Sequence, residues 1–406
     1  MAQAAFPRRG FTFCTAAAAL ICCFIFSSAP IPLIGVWSAK VGLGTGEVAL
    51  SVLSYFGGSV VTLICLARLS NAFGRRRVTL GMLAGAAAAC LILAGLDSAG
   101  KFYAARFIQG LASGLASSAV MSWVVDSTPP RVAWLGAGLT AAGPNVGFAL
   151  GTFLSGVIIS LGFVGVDELL LGCALVCVPL AAAVLFSTET VPGGTESLLS
   201  AVKPKFALPR RLRRIFVMVA FSLFGTWGIG SFLQGFSAKL ALDVLGSTST
   251  LVAASVYLWL IIPNAVFGVI AGKLSPARWF PVSVTCYTVC GALLFLAIET
   301  ACIPLFILAL LGAGVTSGMT CTLGMKFLLV DTALRERAGL IGALYLTCNL
   351  GAGVPNLLVG EFAGGLTETA LHLGYVLWVL LSWLGATALY VLIRRRPNGA
   401  EALRFR

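Results

Sequence analysis

Apolar runs of about twenty residues recur through the whole length of this chain, and no soluble fold accommodates that recurrence. One such run can be a core helix or a leader. A dozen of them, separated by short polar turns, call for lipid as the solvent. Composition agrees: of 406 residues, 59% are hydrophobic and 10% charged, with a mean hydropathy of +1.01. Soluble domains carry about 25% charged residues. No segment alternates in the manner of a membrane β-barrel strand. The expectation is an all-α membrane protein. Its twelve spans are placed near 11–36, 47–67, 78–97, 102–125, 133–160, 168–187, 214–236, 248–271, 279–298, 302–328, 338–363 and 369–393.

Arg8 and Arg9 followed by an apolar stretch from Phe11 imitate a signal peptide. That stretch continues past Phe26 to about Ile34 without a clear small-residue cleavage site, so it reads as a retained first helix. The one long connection, 188–213, contains Pro192-Gly193-Gly194 and then a basic run of Lys203, Lys205, Arg210, Arg211 and Arg213, completed by Arg214 at its border. It divides the chain into a bundle of six helices at 1–187, a basic cytoplasmic linker at 188–213, and a second bundle at 214–406 with a short basic tail.

With the N-terminus inside, 22 of the 27 Lys and Arg fall on cytoplasmic segments. Only Lys40, Lys101 and Lys239 fall outside, while Arg106 and Lys326 lie within spans. This bias sets the orientation, with both termini in the cytoplasm. It also disposes of the nucleic-acid partner that a net charge of +13 would suggest in a soluble protein. The 12 cysteines all fall in or beside apolar runs. Cys173/Cys177 and Cys286/Cys290 share helix faces, but the single histidine, His372, is far off in sequence. They read as packing residues, with no metal site expected.

Three short matches relate the halves. Ala67–Ala72 corresponds to Gly272–Ala277 and Val125-Asp126-Ser127 to Val330-Asp331-Thr332, both at an offset of 205; Ser38-Ala39-Lys40 corresponds to Ser237-Ala238-Lys239 at 199. Two parallel six-helix repeats, pseudo-symmetric about the membrane normal, would place a working cavity between them at mid-depth.

The segment Ala67–Arg77 resembles the loop signature Gly-x-Leu-x-Asp-Arg-x-Gly-Arg-Arg of the major facilitator superfamily of transporters. Leu69, Gly74, Arg75 and Arg76 fit it; Ala67, Asn71 and Ala72 depart from it. Span four reads Arg106-x-x-Gln109-Gly110, close to that family's Arg-x-x-Gln-Gly. Span five reads Gly143-Pro144-x-x-Gly147-x-x-x-Gly151, similar to the element of its twelve-span exporters. Ser27–Leu33 resembles a branch of bacterial members that names no substrate. The resemblance covers the whole chain and implies alternating access.

Gly74 permits a tight turn, and Arg75 and Arg76 are placed to meet Asp126 and the negative end of span four. This suggests an inner gate latch, repeated by Asp331 beside Lys273 and Arg278; the plainer reading is arginines as topology anchors. Asn71 cannot supply the charge that the family's aspartate would. Arg106 and Gln109 share a helix face about one turn inside span four. A buried cation there suggests coupling; snorkelling to the interface is the alternative. Lys326 reads as snorkelling. Gly143, Gly147 and Gly151 form a close-packing stripe beside the kink at Pro144; the resemblance implies a role at the interface between halves.

Spans one and four hold no mid-membrane acid. Glu361, and less so Glu47, are then the candidates for proton coupling, and Glu361 would need a burial-raised pKa. An interfacial structural role is open for it. Candidate cavity residues are Ser28, Gln109, Asn145, Trp227, Gln234, Tyr257, Asn264, Asn349 and Asn356, with interhelical hydrogen bonding as the alternative for each. No P-loop, Gly-x-Ser-x-Gly or histidine-rich cluster suggests an enzyme. The expectation is a monomeric carrier in a bacterial cytoplasmic membrane, surrounded by lipid. It would export a small neutral or modestly amphiphilic molecule, with no cofactor beyond a proton as coupling ion. Uptake by symport or facilitation is the second reading, and a non-transporting sensor or scaffold the remote one.

Overall fold

The computed structural model describes residues 8–66, 68–191, 210–329, 334–362, 365 and 367–395. Among them are 12 helices long and apolar enough to cross a membrane, and no strand. They are α1 Arg9–Val41, α2 Thr45–Leu66, α3 Arg75–Ala94, α4 Ala99–Ser127, α6 Val166–Phe186, α7 Arg213–Asp243, α8 Thr250–Ala271, α9 Pro276–Glu299 and α12 Glu368–Arg394, with α5 Ala133–Ser160, α10 Ile303–Leu329 and α11 Leu334–Phe362. The all-α class and the span count are as expected from hydropathy. Two C-terminal ends lie well beyond those expected. α1 and α7 run on to Val41 and Asp243, past the ends near 36 and 236 expected from apolarity. Helical hydrogen bonding does not stop where hydrocarbon does. Lys239 and Asp243 continue α7 as a one-turn ion pair at 3.0 Å.

Local chemistry sets the helix ends. Gly42, at φ 76, closes α1 in the left-handed region. Glu47 then turns back to accept from the Gly44 amide at 3.0 Å, satisfying a free donor at the start of α2. Thr367 caps α12 by accepting from Ala370 N. α1 is interrupted by Pro30 and Pro32 and continues through a 3-10 turn at Ile31–Leu33. α2 ends in a π-helical turn at Thr62–Leu66, and a second interrupts α4 at Ala116–Val120.

The chain forms two compact units: Met1–Gly42 with Ser54–Pro204, and Leu43–Leu53 with Lys205–Arg406, the division falling inside α2. Each has its own apolar core. In the first, Leu20, Phe24, Met82, Leu83 and Trp123 are buried together. In the second, Met218, Phe280, Leu323 and Leu344 are. α1 and α7 are the inner helices of their units, with 72% and 67% of their apolar windows buried; α6 and α12, at 22% and 28%, present apolar side chains outward to lipid.

Both units use one packing device. A Cβ on Gly110 or Gly114 of α4 would collide with the Tyr55 carbonyl or the Thr62 side chain of α2. A Cβ on Gly314 or Gly318 of α10 would collide with the Leu260 or Asn264 carbonyl of α8. In lipid no hydrophobic drive pushes helices together, so adhesion comes from backbones in close contact, which only small residues allow.

Candidate functional site

α1 is where the first unit's sequence features converge. Pro30 has no N–H to offer the Phe26 carbonyl four residues before it. Gln109 of α4 fills the gap: its Nε2 donates to Phe26 O at 3.0 Å. One turn earlier, Arg106 has no exposed surface. Its Nη1 donates to the Ser27 carbonyl at 3.0 Å and to Gln109 Oε1 at 2.8 Å. Its guanidinium carbon stands 4.8 Å from the Tyr55 ring centroid. A cation taken out of water must have its donors engaged. Here a proline-broken helix and an aromatic face contribute to that. The Arg106 side chain therefore turns inward to α1 and does not snorkel.

The polar network continues through hydroxyls. Tyr55 Oη donates to Ser113 Oγ at 3.0 Å; Ser113 and Ser27 Oγ lie 2.9 Å apart; Ser27 Oγ also reaches the Cys23 carbonyl at 2.9 Å. Tyr55 and Ser113 were not singled out in the sequence. Their signal was weak, a lone tyrosine and one serine of many, although Ser113 lies one helical turn beyond Gln109 on the same face.

On its other side α1 meets α5. A Cβ on Gly147 would stand 2.5 Å from Phe24 Cβ, and one on Gly151 would collide with the Ile25 carbonyl and Ser28 Oγ. Gly143 comes close to Leu20. Ser28 itself is buried and donates to the Ile25 and Gly147 carbonyls at 3.1 and 3.4 Å. Pro144 and Asn145 are half-buried. The glycine stripe thus seats α5 on α1 within one unit.

At the opposite end of this unit the structure brings Arg75 and Asp126 together, Nε to Oδ2 at 3.3 Å. Arg75 Nη1 also donates to Ser70 Oγ, at 2.5 Å. The pair is only partly sheltered, with 14% and 36% side-chain exposure, so it contributes at most about 1 kcal/mol to stability. Arg76 goes elsewhere: its Nη2 donates to the Leu185 carbonyl. The feature missed in the sequence is Glu189. Its two oxygens accept from the Arg75 and Arg76 amides at 2.8 and 2.9 Å, capping the N-terminus of α3. Gly74 adopts φ 88, and a Cβ there would stand 2.5 Å from the Glu189 carboxylate. The charge that Asn71 cannot provide is supplied to this turn from just beyond α6. Glu189 and Glu196 are the only acids in the otherwise basic 188–213 segment, which was the available signal.

In the second unit Arg278 is exposed, 5.9 Å from the Trp279 ring, and Asp331 lies outside the described residues. Lys326 reaches from α10 to the end of α8. Its Nζ donates to the Gly272 and Leu274 carbonyls, both at 2.8 Å, taking up acceptors left at the end of α8. Asn356 is fully buried; its Nδ2 donates to Ser231 Oγ at 2.9 Å and to the Ala352 carbonyl at 2.8 Å. Asn264 donates to Ser317 Oγ at 2.8 Å, joining α8 to α10, and Asn349 to the Tyr345 carbonyl at 2.7 Å. Gln234 and Tyr257 are buried and Trp227 is half-buried. Glu361 is exposed in the last turn of α11.

The sequence profile described as Major Facilitator Superfamily matches residues 16–355. A curated relative, the MFS-type transporter ucsD of Acremonium sp, is 32% identical over 157 residues, 38% of this chain and 27% of that protein's length. The chain's match thus spans about a quarter of that relative. Among solved structures, the nucleoside transporter NupG superposes with a TM-score of 0.70 at 12% identity, over 93% of this chain and 99% of that one. A bacterial homolog of the human lysosomal transporter Spinster gives 0.69 at 13% identity, over 99% of each chain. At these identities the likeness is one of fold.

Proposed function

Because this chain belongs to the Major Facilitator Superfamily, we propose that it works as a proton-coupled exporter of a small neutral or modestly amphiphilic solute. It is a multi-pass membrane protein of a transporter family. We place it in a bacterial cytoplasmic membrane with both termini inside, since the loops rich in Lys and Arg would otherwise face outward. The observation that carries the export reading is the seating of α1 between two elements. One is the Arg106–Gln109 pair of α4, which holds the carbonyls at the α1 break. The other is the Gly143–Gly151 stripe of α5, which resembles that of exporters.

Alternating access needs the inner helix to change its packing while keeping its polar groups satisfied. The Arg106 guanidinium stays charged at any physiological pH, so it does not carry the proton. It holds the break in α1 and sets the local field. The titrating group we assign is Glu361, which must pass between an exposed state and a sheltered one in the cycle. The Arg75–Asp126 pair and the Glu189 cap form the inner latch, with Asp331 and Arg278 as its counterpart in the second half.

Uptake is the second reading. α1 contains no acid, and the only acid of α4 is Asp126 at its end, which suits a facilitator as well. NupG is named a nucleoside transporter. A growth screen of a deletion strain against a compound panel distinguishes the two. Export predicts sensitivity and higher solute accumulation in the deletion strain. Lower accumulation would establish uptake.

A further inference from the structure

The second unit contains a cavity of about 230 Å³ at the ends of α7, α9 and α12, opposite the Lys273–Arg278 turn. We propose that it is a binding site for a small organic monocation with an aromatic or aliphatic body, of the monoamine class. On the orientation proposed above it faces outward; its chemistry does not depend on that.

The interior is aromatic. Phe232 packs on Tyr375 with ring centroids 4.7 Å apart and on Phe236 at 5.2 Å, and all three line the cavity. Faces of this kind exclude water from an apolar body and attract a cation. The mouth is acidic. Lys239 is held between Asp243 at 3.0 Å and Glu368 at 2.9 Å. Glu299 is held by His372, 2.5 Å from its Oε1, and by the Thr369 hydroxyl at 2.9 Å from its Oε2. Three carboxylates thus face one ammonium and one imidazole. Even with the imidazole counted as positive, one negative charge is in excess. An anion would meet that excess, while a monocation neutralises it. Glu368, paired with Lys239 but with 61% of its side chain exposed, is open to an entering ammonium.

A further observation points to a ligand. Tyr375 is 3% exposed and lines the cavity, and its hydroxyl finds no hydrogen-bond partner among the described residues. A buried hydroxyl in a folded protein almost always has one. A polar group entering from the cavity would provide it. The volume lies below the range of drug-sized pockets, which limits the ligand to roughly one ring and an ammonium group.

Full-length protein in detergent, titrated calorimetrically with 2-phenylethylammonium, benzoate and benzyl alcohol, tests this. The expected result is saturable binding of 2-phenylethylammonium, one per chain, about tenfold or more tighter than either other probe. Glu368→Gln and Glu299→Gln should each weaken it by about tenfold. Tyr375→Phe should weaken it by a smaller factor without lowering the melting temperature, because the hydroxyl it removes makes no hydrogen bond among the described residues. If Glu299→Gln destabilises the fold, Glu368→Gln decides alone. No saturable binding, benzoate binding as well as the amine, or binding unchanged in Glu368→Gln would overturn the proposal.

Discussion

Gln109 Nε2 donates at 3.0 Å to the carbonyl of Phe26, the acceptor that Pro30 leaves without its helical partner. A break in one helix is thereby completed by a side chain of another. A broken helix in a membrane is tolerated where such replacement exists, and Arg106 extends it to the Ser27 carbonyl.

The two residues should therefore be energetically coupled. Gln109→Ala leaves a buried acceptor bare and is expected to cost about 1–3 kcal/mol. Pro30→Ala restores an N–H four residues from Phe26. In a double-mutant cycle, Pro30→Ala should recover part of the Gln109→Ala loss, with a coupling of about 0.5–1.5 kcal/mol. Strict additivity in thermal or denaturant unfolding would show that the proline is not what Gln109 serves.

The Glu189 cap and the Arg75–Asp126 pair should differ in stability. Glu189→Ala removes a charged acceptor from two amides at the start of α3 and should cost about 1–2 kcal/mol. Asp126→Asn loses only a partly exposed pair and should cost less than about 1 kcal/mol. Unfolding curves of the two variants check the order. For the latch, transport lost in Asp126→Arg should return in part when Arg75→Asp is added. No return would mean that the pair is not used in gating.

Glycines that look alike in sequence should behave differently. Gly110→Ala and Gly318→Ala place a methyl into a neighbouring backbone carbonyl and should destabilise by about 1–3 kcal/mol. Gly81→Ala and Gly172→Ala meet nothing within 4 Å and should be neutral or slightly stabilising through helix propensity. Melting temperatures in detergent separate the pairs.

Glu361→Gln should leave folding unchanged, since the residue is exposed. It should abolish the pH dependence of transport while retaining solute binding. Equal transport by wild type and Glu361→Gln across pH would remove Glu361 as the coupling acid.

The fold was legible because hydrophobic run length and the placement of Lys and Arg report directly on the membrane. Arg106 and Gln109 could be singled out because a cation deep in an apolar run is costly wherever it sits. What held them could not be read. The acceptor at Phe26 is left open because Pro30 has no N–H to offer it four residues on, and that α4 packs on α1 at this point is a tertiary contact no local pattern encodes. Glu189 was obscured for another reason. Two acids seven residues apart in a basic linker carry no period that marks either one, and the role of Glu189 follows from the meeting of the ends of α6 and α3. The carbonyl partners of Lys326 were not legible because they come from the end of a neighbouring helix, which no spacing in the sequence relates to it.

Proton-coupled export is tested most directly by purified protein in proteoliposomes of known orientation, loaded with a pH-sensitive dye and given the solute identified by the growth screen. The account predicts proton movement opposite to solute movement, with solute driven uphill by a pH gradient alone and the response lost in Glu361→Gln. Solute and proton moving in the same direction, or solute flux indifferent to the gradient, would contradict it.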